Sequence, residues 1–221
     1  MRAFLLGIIA SLALALGAAV LFPGLARSSP VYVMSCSGTY LGKGYVLTAG
    51  HCVQGETETI LRQDAPTDAD DKSGWTAKVV LTDHLHDIAI VKFDKVRVKN
   101  MKPNGTVEWN DEPITETLPF AVTKVGCTFP KMRQHYVMKG WPAGMYAETI
   151  GYIAGDRKKR AYWPESYLIA VAGFFGSSGS GVYNQITDTV DGVMVGMIPG
   201  SGLMIMVPTA VVCNIIPREI P

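Results

Sequence analysis

Short apolar runs recur along most of the chain, with turn residues between them. A first set comprises GYVLTAG (44–50), TETILR (57–62), TAKVVLTD (76–83) and DIAIVKF (87–93). A second set comprises PFAVTKVG (119–126), QHYVMKG (134–140), YAETIGYIAG (146–155), YLIAVAG (167–173), DGVMVGMI (191–198) and GLMIMVP (202–208). The runs are rich in Val, Ile, Tyr and Thr, and several alternate apolar with polar positions. That period of two predicts an all-β chain of many short strands, built as a sandwich or as barrels. No long amphipathic helix interrupts them. One helix is predicted at the end, in PTAVVCNIIPREI. Pro208 starts it, Val211 with Ile215 and Val212 with Ile216 share a face, and Pro217 stops it.

Between the two sets lies KNMKPNGTVEWNDEPITET (99–117), polar and turn-rich, which reads as a linker. The strands therefore fall into two β units of similar length, about 30–98 and 118–207, with no sequence repeat between them. As domains, the expected boundaries are 30–112 and 113–221. The tripeptide Asn104-Gly105-Thr106 matches a glycosylation acceptor pattern.

The first 26 residues differ in kind. Arg2 precedes an uncharged, mostly apolar run over 3–25. A basic start, an apolar centre and the small residues Gly24 and Ala26 predict a secretory signal peptide cleaved after Ala26. The core over 4–22 would also span roughly 28 Å as a helix, enough for an uncleaved membrane anchor. On either reading the rest is exported: secreted, periplasmic or membrane-anchored with the folded part outside the cytoplasm.

Composition narrows the partners. The formal net charge is +1 with a pI near 7.7, which does not favour a nucleic-acid partner. The cysteines number four: Cys36, Cys52, Cys127 and Cys213. In an exported chain an even number reads as disulfides, with three pairings open. No CxxC pair is present, so no zinc site is expected. DAPTDADDKSG (64–74) carries clustered aspartates but lacks EF-hand spacing, and reads as a solvated loop without calcium. GDRKKRAY (155–162) reads as a basic hairpin tip.

The candidate chemistry lies in three segments. VLTAGHCV (46–53) sets His51 at the end of a strand, and HDIAIVKFD (86–94) sets Asp87 at the head of another. GFFGSSGSGVYN (173–184) holds Ser177, Ser178 and Ser180 among glycines. A serine hydroxyl needs a base within hydrogen-bond reach, and the base needs a buried carboxylate to orient it. His51, Asp87 and a serine near 178 supply that set. Asp83 is a weaker rival to Asp87, because no buried strand follows it directly. An α/β-hydrolase is excluded: it needs G-x-S-x-G with the histidine after the serine. All four histidines, His51, His84, His86 and His135, precede Ser178. His84 and His86 read as exposed turn residues and His135 as a strand residue.

TAGHC, DIAIVKF and GSSGSG, in this order and at these spacings, resemble the trypsin/chymotrypsin superfamily of serine endopeptidases. The resemblance covers about residues 30–217 and is nearest to compact bacterial and HtrA-like protease domains without a PDZ domain. It implies two six-stranded antiparallel β-barrels of the chymotrypsin type, a C-terminal helix, and an active site in the cleft between the barrels. It implies that Ser178, third in Gly176-Ser177-Ser178-Gly179-Ser180, is the nucleophile, with His51 as base and Asp87 as its orienting carboxylate. The N–H groups of Gly176 and Ser178 are then the oxyanion hole. A Cys36–Cys52 disulfide bracing the histidine loop follows from the same resemblance, which leaves Cys127 with Cys213.

In trypsin-like members an acidic residue six positions before the nucleophile attracts Lys or Arg. Here that position is Ala172. Ile198, Pro199 and Met204 are the other expected walls, so the resemblance implies cleavage after small or medium apolar residues. No cofactor or metal is implied, and the partner is a protein or peptide substrate. Two other functions fit the same fold: a catalytically silent binding protein, in which Phe174 and Phe175 block the pocket, and a self-processing protease of narrow specificity.

Overall fold

The structure is a computed structural model and describes residues 30–66, 68, 71–115, 118–156, 164–218 and 220. The leader, with its expected cleavage site at Ala26 and the 4–22 anchor stretch, lies outside the described residues, as does the basic run 157–160. Among the described residues, no helix is long and apolar enough to cross a membrane.

The first sheet holds β1 (Pro30–Val33), β2 (Cys36–Gly42), β3 (Tyr45–Ala49), β4 (Glu58–Arg62), β5 (Gly74–Asp83), β6 (Ile88–Met101) and β7 (Val107–Pro113). Their order is β3-β2-β1-β4-β5-β6-β7, and β3 also pairs with β6. That extra pairing closes six strands into an antiparallel barrel and leaves β7 outside it. The second sheet holds β8 (Lys124–Val125), β9 (His135–Gly140), β10 (Ala147–Asp156), β11 (Tyr167–Ala170), β12 (Gly181–Asn184), β13 (Thr189–Ile198) and β14 (Leu203–Pro208). Here β12 pairs with β13 to close the ring β12-β9-β10-β11-β14-β13. Strand β8 adds to β13 in parallel, outside the ring.

The alternation in the sequence decides which barrel each side chain serves. Successive strand residues point to opposite faces. In β3 and β6, Val46, Ala89 and Val91 turn into the first barrel with Val33, Leu61 and Phe93. Their neighbours Leu47, Ile88 and Ile90 turn the other way, against Val193, Val195, Ile205 and Val207 of the second barrel. Strands buried on both faces read as continuous apolar runs, hence IAIV in β6. The second barrel fills with Tyr136, Met138, Ile153, Ile169, Met194 and Met206.

Two expectations are corrected. The predicted C-terminal helix does not form: a 3₁₀ turn covers Thr209–Val211, and among the described residues turns follow it to Ile215. Val211, Val212, Ile215 and Ile216 are β-branched and poor helix formers, and the span between Pro208 and Pro217 is too short to hold a helix by itself. Tertiary bonds take over instead. The Thr209 hydroxyl bonds to the carbonyls of Gly126 (2.5 Å) and Val190 (3.1 Å), Cys213 is joined to Cys127, and Val212 is fully buried. The 99–117 segment is also no simple linker. Residues 95–101 of β6 pair with 107–113 of β7 as a hairpin whose turn holds Asn104-Gly105. Arg97 pairs with Asp111 at 2.7 Å, and Lys102 with Glu108 at 3.1 Å.

Candidate active site

His51 sits in a 3₁₀ turn, Gly50–Val53, directly after β3. Asp87 heads β6 in a left-handed conformation, φ +57°. The two segments lie against each other. The Gly50 N–H donates to the Asp87 carbonyl at 2.8 Å. A Cβ at Gly50 would come within 2.9 Å of Asp87 Oδ1, so only glycine lets the turn pass this close. The Asp87 carboxylate then grips His51 twice. Oδ1 accepts the His51 backbone N–H at 2.7 Å, and Oδ2 meets ring Nδ1 at 2.7 Å. Asp87 is buried, while the His51 side chain keeps 39% of its surface. With Nδ1 tied, Nε2 is the nitrogen left for chemistry.

The serine loop joins β11 to β12. Its three serines are not equivalent. Ser177 and Ser180 are fully buried, and Ser178 is half-buried. Ser177 Oγ turns back to accept the Phe174 N–H at 3.1 Å. The loop is held from both barrels. Ser37 of β2 donates its N–H to the Ser178 carbonyl at 2.7 Å and its hydroxyl to the Gly176 carbonyl at 2.8 Å. The Phe175 carbonyl accepts the Ala143 N–H at 2.6 Å. In a peptide plane the next N–H points opposite to the carbonyl, so this bond turns the Gly176 N–H away from Ala143. Ser177, Gly179 and Ser180 N–H groups all find backbone acceptors; those of Gly176 and Ser178 have none among the described residues. Two unbonded donors in a fixed loop are what a developing oxyanion requires.

The structure thus brings His51 and Asp87 together, and ties the Ser178 loop to the same corner of the first barrel. Ser37 follows Cys36, whose disulfide partner Cys52 follows His51. No hydrogen bond joins the His51 ring to the Ser178 hydroxyl. Such bonds often tighten only when substrate is bound.

A pocket of about 530 Å³ opens where the chain leads into the serine loop. Ala172, Ile198 and Met204 line it, together with Ile150, Gly173 and Phe174, and none of its lining residues is charged. Pro199 does not line it; it is exposed on the turn after β13. Gly173 lies against Met204: a Cβ there would fall 2.6 Å from the methyl carbon at the far end of that flexible side chain. Phe174 and Phe175 are 66% and 88% exposed, so neither ring plugs the pocket.

The other histidines divide. His84 is exposed, and the His135 ring lies tilted against that of Tyr152, with centroids 6.1 Å apart. His86 departs from the expected exposed turn. It is largely buried, with Nδ1 2.7 Å from Asp83 Oδ2. Burial works to raise the Asp83 pKa, but hydrogen bonds from the His86 ring and from the His86 and Leu85 N–H groups outweigh it and hold the carboxyl below its ordinary value. Sequence reasoning missed Ser37 and Gly173 as well. A small residue near the nucleophile hinted at Gly173, but nothing local marks Ser37, whose partner Gly176 is 139 residues away.

Two closed barrels with a His–Asp pair at their junction define a chymotrypsin-like serine-protease domain. The chain belongs to the trypsin-like peptidase domain family, whose model matches residues 36–197. Among solved structures it is similar to the Rv3671c protease of M. tuberculosis H37Rv in an inactive form, at 19% identity and TM-score 0.59 over 89% of this chain and 92% of that one. It is similar to the HtrA-type protease AlgW, solved with a decapeptide, at 16% identity and TM-score 0.59, covering 82% of this chain and 50% of AlgW. A serine endoprotease from Yersinia pestis matches at 19% identity and TM-score 0.58, with 86% of this chain and 63% of that one covered. At these identities the likeness is one of fold. No curated protein sequence matches the chain.

Proposed function

We propose that the chain is an exported serine endopeptidase acting through His51, Asp87 and Ser178. Ser178 Oγ attacks the peptide carbonyl while His51 Nε2 takes its proton, and Asp87 holds the imidazole in one tautomer and stabilises its cation. The N–H groups of Gly176 and Ser178 receive the oxyanion. His51 returns the proton to the leaving amine, and water then releases the acyl group by the reverse steps. The set needs no cofactor. Read as two domains, 30–112 contributes His51 and Asp87, and 113–221 contributes Ser178.

One observation carries the reading: the two-point grip of Asp87 on His51, beside a loop whose Gly176 and Ser178 N–H groups are both unbonded. The uncharged pocket supports cleavage after small or medium apolar residues, because burial stabilises an apolar side chain by about 25 cal/mol per Å². Discrimination is modest, about 1–3 kcal/mol per methylene. Two disulfides support an oxidising, exported location. The substrate is a protein or peptide chain.

The test is labelling of the full-length chain with a fluorophosphonate, followed by peptide mapping. Label on Ser178 that disappears in both Ser178→Ala and His51→Ala is the expected result. A folded, oxidised chain that takes no label, or takes it equally after His51→Ala, overturns the reading.

A further inference from the structure

The β5–β6 turn, Asp83 to Asp87, contains a second aspartate–histidine pair built like the first. Asp83 Oδ1 accepts the N–H groups of Leu85 (3.0 Å) and His86 (3.1 Å). Its Oδ2 meets His86 Nδ1 at 2.7 Å. Asp87 treats His51 in the same way, one oxygen on the backbone N–H and the other on ring Nδ1. The two pairs are consecutive: His86 is followed directly by Asp87. The second pair is well sheltered, with side chains 14% and 16% exposed. On its far side, His86 Nε2 lies 3.9 Å from Glu165 Oε2, on the β10–β11 connection of the second barrel.

We propose that Asp83 and His86 form a positioning pair that sets Asp87, and that Glu165 ties this pair to the second barrel. The proposal rests on the roles given above to His51 and Asp87. Its physical ground is the backbone of Asp87. At φ +57° Asp87 lies in the left-handed region, which an aspartate visits when local hydrogen bonds hold it there. Gly50 holds Asp87 from the carbonyl side through its 2.8 Å bond. Asp83 holds the preceding residue at two points, fixing the peptide that delivers Asp87 to His51. A neutral turn could hold its backbone with Asp83 Oδ1 alone. The closed His86 ring contact also fixes the direction in which the turn leaves β5, and it carries the contact with Glu165. The charged groups facing His86 are therefore Asp83 on its own turn and Glu165 on the opposing connection. His86 meets Asp83 through Nδ1 and faces Glu165 through Nε2, and so stands between the two barrels one residue from the orienting carboxylate.

The test has two arms in the full-length chain. In the first, the rate of fluorophosphonate labelling at Ser178 is compared across variants. His86→Ala is expected to slow labelling about tenfold, the scale of a modest misplacement of a catalytic group. His86→Asn, whose side-chain N–H replaces Nδ1, is expected to recover to within about threefold. Glu165→Gln is expected to fall between wild type and His86→Ala. In the second arm, made in a Ser178→Ala background and so independent of activity, the downfield proton resonance of the His51 Nδ1–H is followed by NMR. His86→Ala should broaden or shift it upfield, and His86→Asn should restore it. Should the wild-type chain take no label, the endopeptidase reading fails while the NMR arm still decides this one. If His86→Ala loses its near-UV dichroism, Asp83→Asn replaces it, since the amide oxygen still accepts both backbone N–H groups. An unchanged labelling rate and resonance in His86→Ala or Asp83→Asn overturns the proposal. So does a loss in His86→Asn as large as in His86→Ala, which would mark a merely structural role.

Discussion

Gly176 stands at φ +91°, and a Cβ there would lie 2.6 Å from the Trp141 carbonyl oxygen. Both facts concern backbone, so no side-chain rotation relieves them. Gly176→Ala should therefore shift the loop and remove one of the two proposed oxyanion donors. Loss of one such donor costs about 10²–10³-fold in kcat, and that loss with KM within a few-fold is the expected outcome in peptide hydrolysis. A KM rise at unchanged kcat would instead place Gly176 in substrate binding. Ala172 poses the converse question. It lines a pocket with no charge, so Ala172→Asp should lower cleavage after apolar residues and raise it after Lys and Arg, read from the cleavage sites in a peptide library. An unchanged profile would separate Ala172 from the specificity wall. At this scale the sequence was most informative where chemistry demands one residue type. Residues alone left three serines open, and the family resemblance singled out Ser178 by its place in the motif; of the three, Ser178 alone is not fully buried.

The strands were legible because their period of two coincides with burial: β4, ETILR, turns Thr59 and Leu61 inward. Elements whose fate is set by partners were not. The β6–β7 hairpin read as a linker because its outer part faces water, leaving no apolar stripe to betray it. The terminal segment read as a helix because its apolar spacing fits one, although β-branching and the Cys213 anchor decide otherwise. The β5–β6 turn belongs with these, since an Asp–His pair three residues apart carries no signal of its own. It has a pH signature, however. The folded Asp83 carboxyl has a lower pKa than in the unfolded chain, so between the two values the unfolded chain binds more protons. Its contribution is full above about pH 4 and is lost as pH falls through the folded value. Urea denaturation between pH 2.5 and 6, a range chosen around the carboxyl pKa values, should show wild type losing stability more steeply than Asp83→Asn below about pH 4. Parallel curves would mean that the Asp83 bonds contribute nothing to folding.

The two barrels share a core. Leu47, Ile88 and Ile90 meet Val193, Val195 and Ile205 across the junction, and the His–Asp pair comes from one side and the serine loop from the other. The order of the three motifs made that division legible, but the bond from Ser37 to the serine loop and the proposed contact of His86 with Glu165 join residues too far apart in the chain for any pattern to reveal. The disulfides separate stability from function at this scale. Cys127–Cys213 closes a separation of 86 residues and Cys36–Cys52 one of 16. Loop-closure entropy then assigns about 4.5 kcal/mol to the first and about 3 kcal/mol to the second. Their neighbours reverse the ranking for activity. Cys52 follows His51 and Cys36 precedes Ser37, whose N–H holds the Ser178 carbonyl at 2.7 Å, whereas Cys213 lies on the terminal turns and Cys127 just after β8. Replacing Cys127 and Cys213 together by Ser should therefore lower the urea midpoint more, yet leave fluorophosphonate labelling of the still-folded chain near the wild-type rate. Replacing Cys36 and Cys52 should lower the midpoint less and slow labelling at least tenfold, about the cost of a small misplacement in the site. If labelling instead follows the midpoint in both pairs, the Cys36–Cys52 bond is only a staple, and Ser37 holds the serine loop without it.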